Sequence, residues 1–483
     1  MSQIINSDKK IKNLIKYIIL GSIILGILFR ILNLNYENLW HDEIFTFWIT
    51  DPTITIKETY ARVKSIESIP FMYYYLLKNL HSLFGYFPEV GRYFSVLFGI
   101  LSIFSIGYLS KQISNNKSYL FVTFLISLNI FLISYSQEAR VYIFSFFLVS
   151  IYLIFFLKVS NTKSKNVFNL NFLLFNFFQI ISFLSFPFTI IIFISICFFS
   201  IYERFFLKKK NFQLFFSLLI SGIFLLIYMP YYIKSVSLSV NWLTQPELKF
   251  YSDFYFTKFF GSRIMGLLHL IVLLGLIIKF KKKIFIQNNY YFFLILTIFL
   301  FYLIPIIYGY LFQPAIHQRY IIFVLIPLIV IFSSLIFEIE NTKLKLFFII
   351  FFSLSTFLNH FTENTFKQFF KNDERYKPNF TNAFNFINNS EFNNIYFDLT
   401  NIKKENREII FEPYENYSNY LFNRNELDIN ILNKFDNHRN LKGFWSICLF
   451  GKDWCNFEDS KFKITETKNF SKLTIKLYLR KFE

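Results

Sequence analysis

The sequence predicts a mainly α protein, a polytopic membrane helix bundle of about 11 spans followed by a small α/β domain. Three observations predict it: the composition, the length of the apolar runs, and a change of character after about residue 360. Of 483 residues, 54% are hydrophobic and 17% charged, where an ordinary soluble domain carries about 25% charged residues. The mean hydropathy is +0.41.

The apolar runs are about 17–22 residues long, which suits a helix crossing about 30 Å of hydrocarbon. They fall at 14–34, 90–110, 118–135, 141–157, 168–184, 187–203, 212–232, 264–280, 290–311, 320–337 and 344–360. The fifth and sixth are separated by Pro187 alone. A further apolar stretch at 70–85 holds Lys78 and His81; it is too polar to span and reads as an interfacial helix. The first run is too long for a cleaved signal, and no small-residue cleavage site follows it.

Basic residues set the expected orientation. Lys9–Lys16, Lys111 and Lys117, Lys158–Lys165, Arg204–Lys210, Lys279–Lys283, and Lys343 with Lys345 put 19 Lys and Arg at one set of alternate loops. The other short loops hold few. The N-terminus is therefore expected in the cytoplasm and the tail outside, in a cell (inner) membrane. The net charge of +19 is then mostly a topology signal. No nucleic-acid partner is expected, because no binding motif accompanies the charge.

The expected division is 1–360 as the membrane domain, including a first outer loop at 35–89, and 361–483 as the extracytoplasmic α/β domain. In the tail, NNIYFDLT (393–400), FWSICLF (444–450) and LTIKLYLR (473–480) read as strands, and TNAFNFINN (381–389) as a helix. Cys448 and Cys455 lie here and Cys197 in a span. The first two suit either a disulfide in an oxidising compartment or two separate thiols.

Chemistry-bearing residues gather on the outer side. LWHDEIFTFW places Asp42 and Glu43 just beyond the first span. One reading is a base that takes a proton from an acceptor hydroxyl, with its neighbour orienting it; the bland one is a polar loop. SYSQEARVY (134–142) squeezes Glu138 and Arg140 between two spans. Arg30 lies near the outer end of the first span, Arg92 opens the second and Arg319, before Tyr320, opens the tenth. Charges at membrane depth cost about 2.5–3.5 kcal/mol on insertion scales and usually have a partner or a function. Each Arg alone reads as snorkelling to the interface. Together, their planar forks suit phosphate.

These segments, in this order, resemble the GT-C superfamily of membrane glycosyltransferases, specifically the family 39-like group that includes protein O-mannosyltransferases and aminoarabinose transferases. FRILNLNYENLWHDEIFTFW (29–48), IPFMYYYLLKNLHSLFGYFPEVGRYFSVLFG (69–99), SYSQEARVY (134–142), HQRYIIFVLIPLIVI (317–331) and KNDERYKPNFTNAFNFI (371–387) carry the resemblance. It implies an inverting transferase that moves a sugar from a polyprenyl-phosphate carrier to a lipid, glycan or protein acceptor. Asp42 would be the base and Glu43 its support. Glu138, Arg140, Arg319 and Tyr320 would bind the donor, with Arg92 and Arg30 nearby. No cofactor is implied.

The chain departs from the group's pattern in places. Ile69, Pro70 and Phe71 stand where relatives often carry a cation before two prolines, and Glu67 is one position off their acidic residue. Leu184, Ser185 and Phe186 stand where many relatives place a His. No His/Glu metal site is therefore expected. His41 either tunes the base or is incidental. Other classes share the span count: a transporter or flippase of lipid-linked sugars, which need not carry a carboxylate loop, an inactive assembly protein, and a polymerase or ligase of surface polysaccharide.

Overall fold

The computed structural model describes residues 2–114, 117–162, 168–209, 211–236, 243–362, 377–432, 441–449, 457 and 459–481, with the side chains of 2–14, 234–236 and 405 excepted. Its contacts divide the chain into two units. Unit 1 is Met1–Leu32, Glu67–Tyr73 and Arg92–Phe366; unit 2 is Asn33–Ile66, Tyr74–Gly91 and Lys367–Glu483. The first outer loop, expected with the spans, is thus largely grouped with the tail.

Unit 1 is helical, and a helix coincides with each of the eleven expected runs. Among the described residues, six helices are long and apolar enough to cross a membrane: Pro88–Ile113, Val141–Asn161, Pro187–Phe205, Phe212–Ile233, Asn289–Leu311 and Thr342–Phe361. Counting one bent pair as a span makes seven. Leu170–Ser185 and Ile322–Phe337 are apolar but shorter. By length and composition this is a multi-pass membrane protein, with six or seven spans counted among the described residues; the expected count of eleven is not established. Every side chain from Leu325 to Ile336 is buried, and this helix packs on Ser118–Leu128, Arg263–Lys279 and Asn289–Leu311. The stretch around 70–85 is the helix Met72–Phe84, too short to cross.

The run at 118–135 is broken. Ser118–Leu128 and Ile130–Ser136 meet at 53°, with Asn129 extended between them and its side chain accepting from the Leu132 N–H. A break leaves backbone carbonyls without helical partners, and in an apolar setting these need donors. Arg30 Nη1 donates to Ser127 O at 2.8 Å and Nη2 to Ile126 O at 3.2 Å. His360 Nε2 donates to Leu128 O at 2.8 Å. Two glycines make room for this arrangement. A Cβ on Gly26 would stand 2.4 Å from Ser127 O, and one on Gly99 would stand 2.2 Å from Ser136 Oγ and 3.2 Å from Arg30 Nε.

Unit 2 is an α/β layer. Its sheet, among the described residues, has the order β2-β1-β3-β5-β4, where β1 is Asn394–Phe397, β2 Asn430–Ile431, β3 Gly443–Cys448, β4 Phe462–Phe470 and β5 Leu473–Arg480. β1 runs parallel to β2 and β3, and β5 antiparallel to β3 and β4. The strands read at 393–400, 444–450 and 473–480 and the helix read at 381–389 (Phe380–Asn388) are present. β4 and the helix Arg407–Asn425 were not read from the sequence. The core joins Leu39, Ile44 and Phe47 of the outer loop to Phe380, Phe384, Tyr414, Trp445 and Ile475 of the tail. Cys448 is disulfide-bonded and Cys197 is a free thiol. Cys455 and residues 371–376 of the expected segment lie outside the described residues.

Candidate active site

The expected residues divide between the two units, and each cluster is described within its own. In unit 2, Asp42 and Glu43 occupy the first turn of the helix His41–Ile49. The helix start favours negative charge on both, yet they are used differently. Glu43 is 1% exposed. Its Oε2 accepts from the Trp40 N–H at 3.0 Å and pairs with Lys377 Nζ at 2.5 Å. It caps the helix and anchors it to the start of the tail. Asp42 is half-buried, and its charge acts on His41 and Tyr414.

His41 is buried, with Nδ1 2.5 Å from the Tyr414 hydroxyl. Burial, opposed by the Asp42 charge and aided by that of Lys472, holds its pKa down at about 4. Burial, then the Asp42 charge, holds the Tyr414 hydroxyl well above its usual range. Near neutral pH the imidazole is therefore neutral and the phenol protonated. Their hydrogen bond runs in the direction that the imidazole tautomer sets. Trp40 completes the turn beneath Lys472, whose Nζ lies 4.7 Å from the indole centroid.

In unit 1 the loop between the bent pair and Val141–Asn161 carries Glu138 and Arg140. Gln137 Nε2 ties this loop to the end of the first helix through Phe29 O at 2.8 Å and Leu32 O at 3.1 Å. The Arg140 N–H donates to Glu138 O at 2.7 Å, and the Glu138 side chain is half-buried. The Arg140 guanidinium grips Glu67 with both ends, Nη1 to Oε1 at 2.6 Å and Nη2 to Oε2 at 3.2 Å. These side chains are 6% and 10% exposed.

Arg319 and Tyr320 lie on the turn before Ile322–Phe337, where the Tyr320 N–H donates to His317 O at 2.9 Å. Tyr142 links this turn to Arg140. The Arg319 guanidinium lies 5.7 Å, and that of Arg140 6.0 Å, from the centroid of its ring. Arg319 is also 5.4 Å from the Tyr320 ring. Unit 1 thus brings Glu138, Arg140, Arg319 and Tyr320 onto two neighbouring turns.

Arg30 belongs elsewhere. It is fully buried, and besides the two carbonyls of the break it donates to Gly26 O at 2.8 Å and Ser136 Oγ at 3.2 Å. The donor-site reading of Arg30 gives way to a structural one, because its hydrogen bonds are spent on backbone and a serine. Arg92 is buried near the start of Pro88–Ile113. The sequence reading passed over Tyr142, Tyr414 and Lys377 and left Glu67 aside. For Glu67 one signal existed: a lone acidic residue just before Ile69-Pro70, with an unmatched intramembrane-edge arginine elsewhere. Among the described residues, no group of three or more His, Cys, Asp or Glu is placed to hold a metal ion.

No family model and no curated protein sequence matches the chain. Solved structures do. ArnT from Cupriavidus metallidurans in the apo state aligns with a TM-score of 0.60 at 8% identity, over 95% of this chain and 97% of that one. The same protein bound to undecaprenyl phosphate gives 0.56 at 10% identity with the same coverage. An oligosaccharyltransferase from Archaeoglobus fulgidus, in the apo form, gives 0.48 at 11% identity over 89% of this chain and 69% of that one. The chain therefore has the fold of the ArnT structures, a membrane helix bundle with a small C-terminal α/β part.

Proposed function

We propose that the chain is an inverting glycosyltransferase using a polyprenyl-phosphate sugar donor. It passes the sugar to a lipid, glycan or protein acceptor at the outer face of the cell membrane. The observation that carries the reading is the pair of guanidinium groups, Arg140 and Arg319, both within about 6 Å of the Tyr142 ring. Fixed cations at the membrane-domain surface suit a leaving group that is a lipid phosphate, since they stabilise charge that grows as the sugar departs. One of the ArnT structures, of like fold, holds undecaprenyl phosphate.

Asp42 takes the proton of the acceptor hydroxyl. The acceptor oxygen then attacks the anomeric carbon in line, the bond from that carbon to the phosphate oxygen breaks with its electron pair, and polyprenyl phosphate leaves. The first turn of a helix favours the charged form of a carboxylate, the form a base uses. Glu43 holds that turn through Lys377. Glu138 shapes the donor site beside Arg140, and Tyr320 flanks Arg319. The disulfide at Cys448 suits an extracytoplasmic unit 2, with the N-terminus in the cytoplasm.

The test is reconstitution of the full-length chain in proteoliposomes with a radiolabelled polyprenyl-phosphate sugar and envelope extracts. Label moving onto an acceptor with the wild type, and far more slowly with Asp42→Asn, is expected. Label that crosses the bilayer still attached to its carrier would instead mark a flippase. Growth of a long glycan on the carrier would mark a polymerase.

A further inference from the structure

The proposed chemistry leaves Glu67 without a role, although it makes a close two-pronged contact in the donor cluster. Both its oxygens bind Arg140, at 2.6 and 3.2 Å, and both side chains are nearly buried. A buried pair of this kind costs desolvation of two ions and is weak evidence for a stabilising purpose. It also cancels the charge of one of the two arginines that face Tyr142.

We infer that Glu67 tunes the Arg140 site against the spent carrier, so that polyprenyl phosphate is released after transfer. The inference rests on the proposed glycosyl transfer and assigns that site's selectivity. The donor is a phosphodiester and carries one negative charge. Once the bond to the anomeric carbon breaks, the same phosphate is a monoester. Its second pKa is about 6, so it carries about −1.5 to −2 at neutral pH.

Paired with Glu67, the Arg140 fork carries no net charge. Remove the Glu67 charge and the fork carries +1, which attracts the dianionic product more than the monoanionic donor. The guanidinium is small and planar. A phosphate at Arg140 therefore sits within a few ångströms of the Glu67 carboxylate, or displaces it; either way the dianion meets more repulsion than the monoanion. Glu138, His317 and Tyr320 are also titratable groups on these two turns.

The experiment measures binding of two probes to the full-length chain in nanodiscs: polyprenyl phosphate, and its methyl diester as a sugar-free donor mimic. Glu67→Gln keeps the shape and loses the charge. It should tighten the monoester roughly tenfold relative to the diester, from one unit charge at such a separation, and strengthen product inhibition of transfer to match. Glu67→Asp keeps the charge and should keep the wild-type ratio of affinities. A ratio unchanged in Glu67→Gln, an equal weakening of both probes, or an Asp variant that behaves like Gln overturns the inference. Wild-type protein that binds neither ester overturns glycosyl transfer from such a carrier as well. Binding of both with an unchanged ratio overturns the release role alone.

Discussion

Unit 1 and unit 2 handle buried charge in opposite ways. In unit 2, two carboxylates adjacent in sequence are separated by function. Glu43 is tied to a backbone N–H and a lysine, while Asp42 stands half-buried beside a neutral histidine and a protonated tyrosine. In unit 1, arginines far apart in sequence are separated by partner. Arg30 is given to backbone carbonyls, Arg140 to a carboxylate, and Arg319 to aromatic faces. The lesson is that a charged residue's type says little about its work. What decides is whether its hydrogen-bonding capacity is spent on the fold.

The largest expected effect tests the carboxylate pair. Asp42→Asn preserves size and hydrogen bonding but removes the proton acceptor. Turnover at saturating donor should fall by about 10²–10⁴-fold, with donor affinity nearly unchanged. Glu43→Gln should do the reverse. It leaves Lys377, 12% exposed in the pair, without the Glu43 counter-charge, at a cost of about 3–5 kcal/mol in stability. Turnover per folded molecule should stay close to wild type. Transfer rates and thermal unfolding of the two variants check this. Near-normal turnover in Asp42→Asn with a dead Glu43→Gln would exchange their roles.

The spans were legible because a membrane helix must be apolar for about 20 residues whatever it packs against. The break at Asn129 was not, because its stability depends on donors from Arg30 and His360, 97 and 232 residues away from the carbonyls they meet. Strands β1, β3 and β5 announced themselves by apolar β-formers. β4, FKITETKNF, is mostly exposed and lies at the sheet edge, so nothing in its letters alternates clearly. The helix Arg407–Asn425 hides behind Pro413 and a polar composition, burying Tyr414, Tyr417, Leu421 and Phe422 at helical spacing. The charged residues of the candidate site were visible as types on one expected side. Their partners, Glu67 for Arg140 and Lys377 for Glu43, are set by tertiary structure and were not.

A second, smaller effect separates the arginines. Arg30→Leu strips the Ile126 and Ser127 carbonyls of their donors, and an unsatisfied buried group costs about 1–3 kcal/mol. Lower melting temperature and poor recovery of folded protein are expected, with Arg30→Lys intermediate. Arg319→Ala should melt close to wild type, since the residue lies on a half-buried turn, but bind polyprenyl phosphate weakly. Arg319→Lys should recover part of that binding, because a point charge lacks the planar fork. If Arg30→Leu melts normally and loses carrier binding, the structural reading of Arg30 fails and it rejoins the donor site.

The smallest effect concerns the ring that both guanidinium groups approach. Tyr142 holds Arg319 and Arg140 at 5.7 and 6.0 Å from its centroid, and its own ring is steadied by Tyr135 and Phe186 at 5.5 and 5.6 Å. If the π-face is what keeps the two cations aimed, Tyr142→Phe should retain most carrier affinity and Tyr142→Leu should lose some. The loss expected is about 0.5–2 kcal/mol, the range for a cation–π contact between exposed and desolvated limits. Leucine also leaves unfilled volume, which lowers stability on its own account. The informative quantity is therefore carrier affinity compared between Phe and Leu variants at temperatures where both are folded. Equal losses in the two would assign the contribution to the hydroxyl instead of the ring. No loss in either would mean that Arg140 and Arg319 are positioned by their own turns, with Tyr142 serving only as packing.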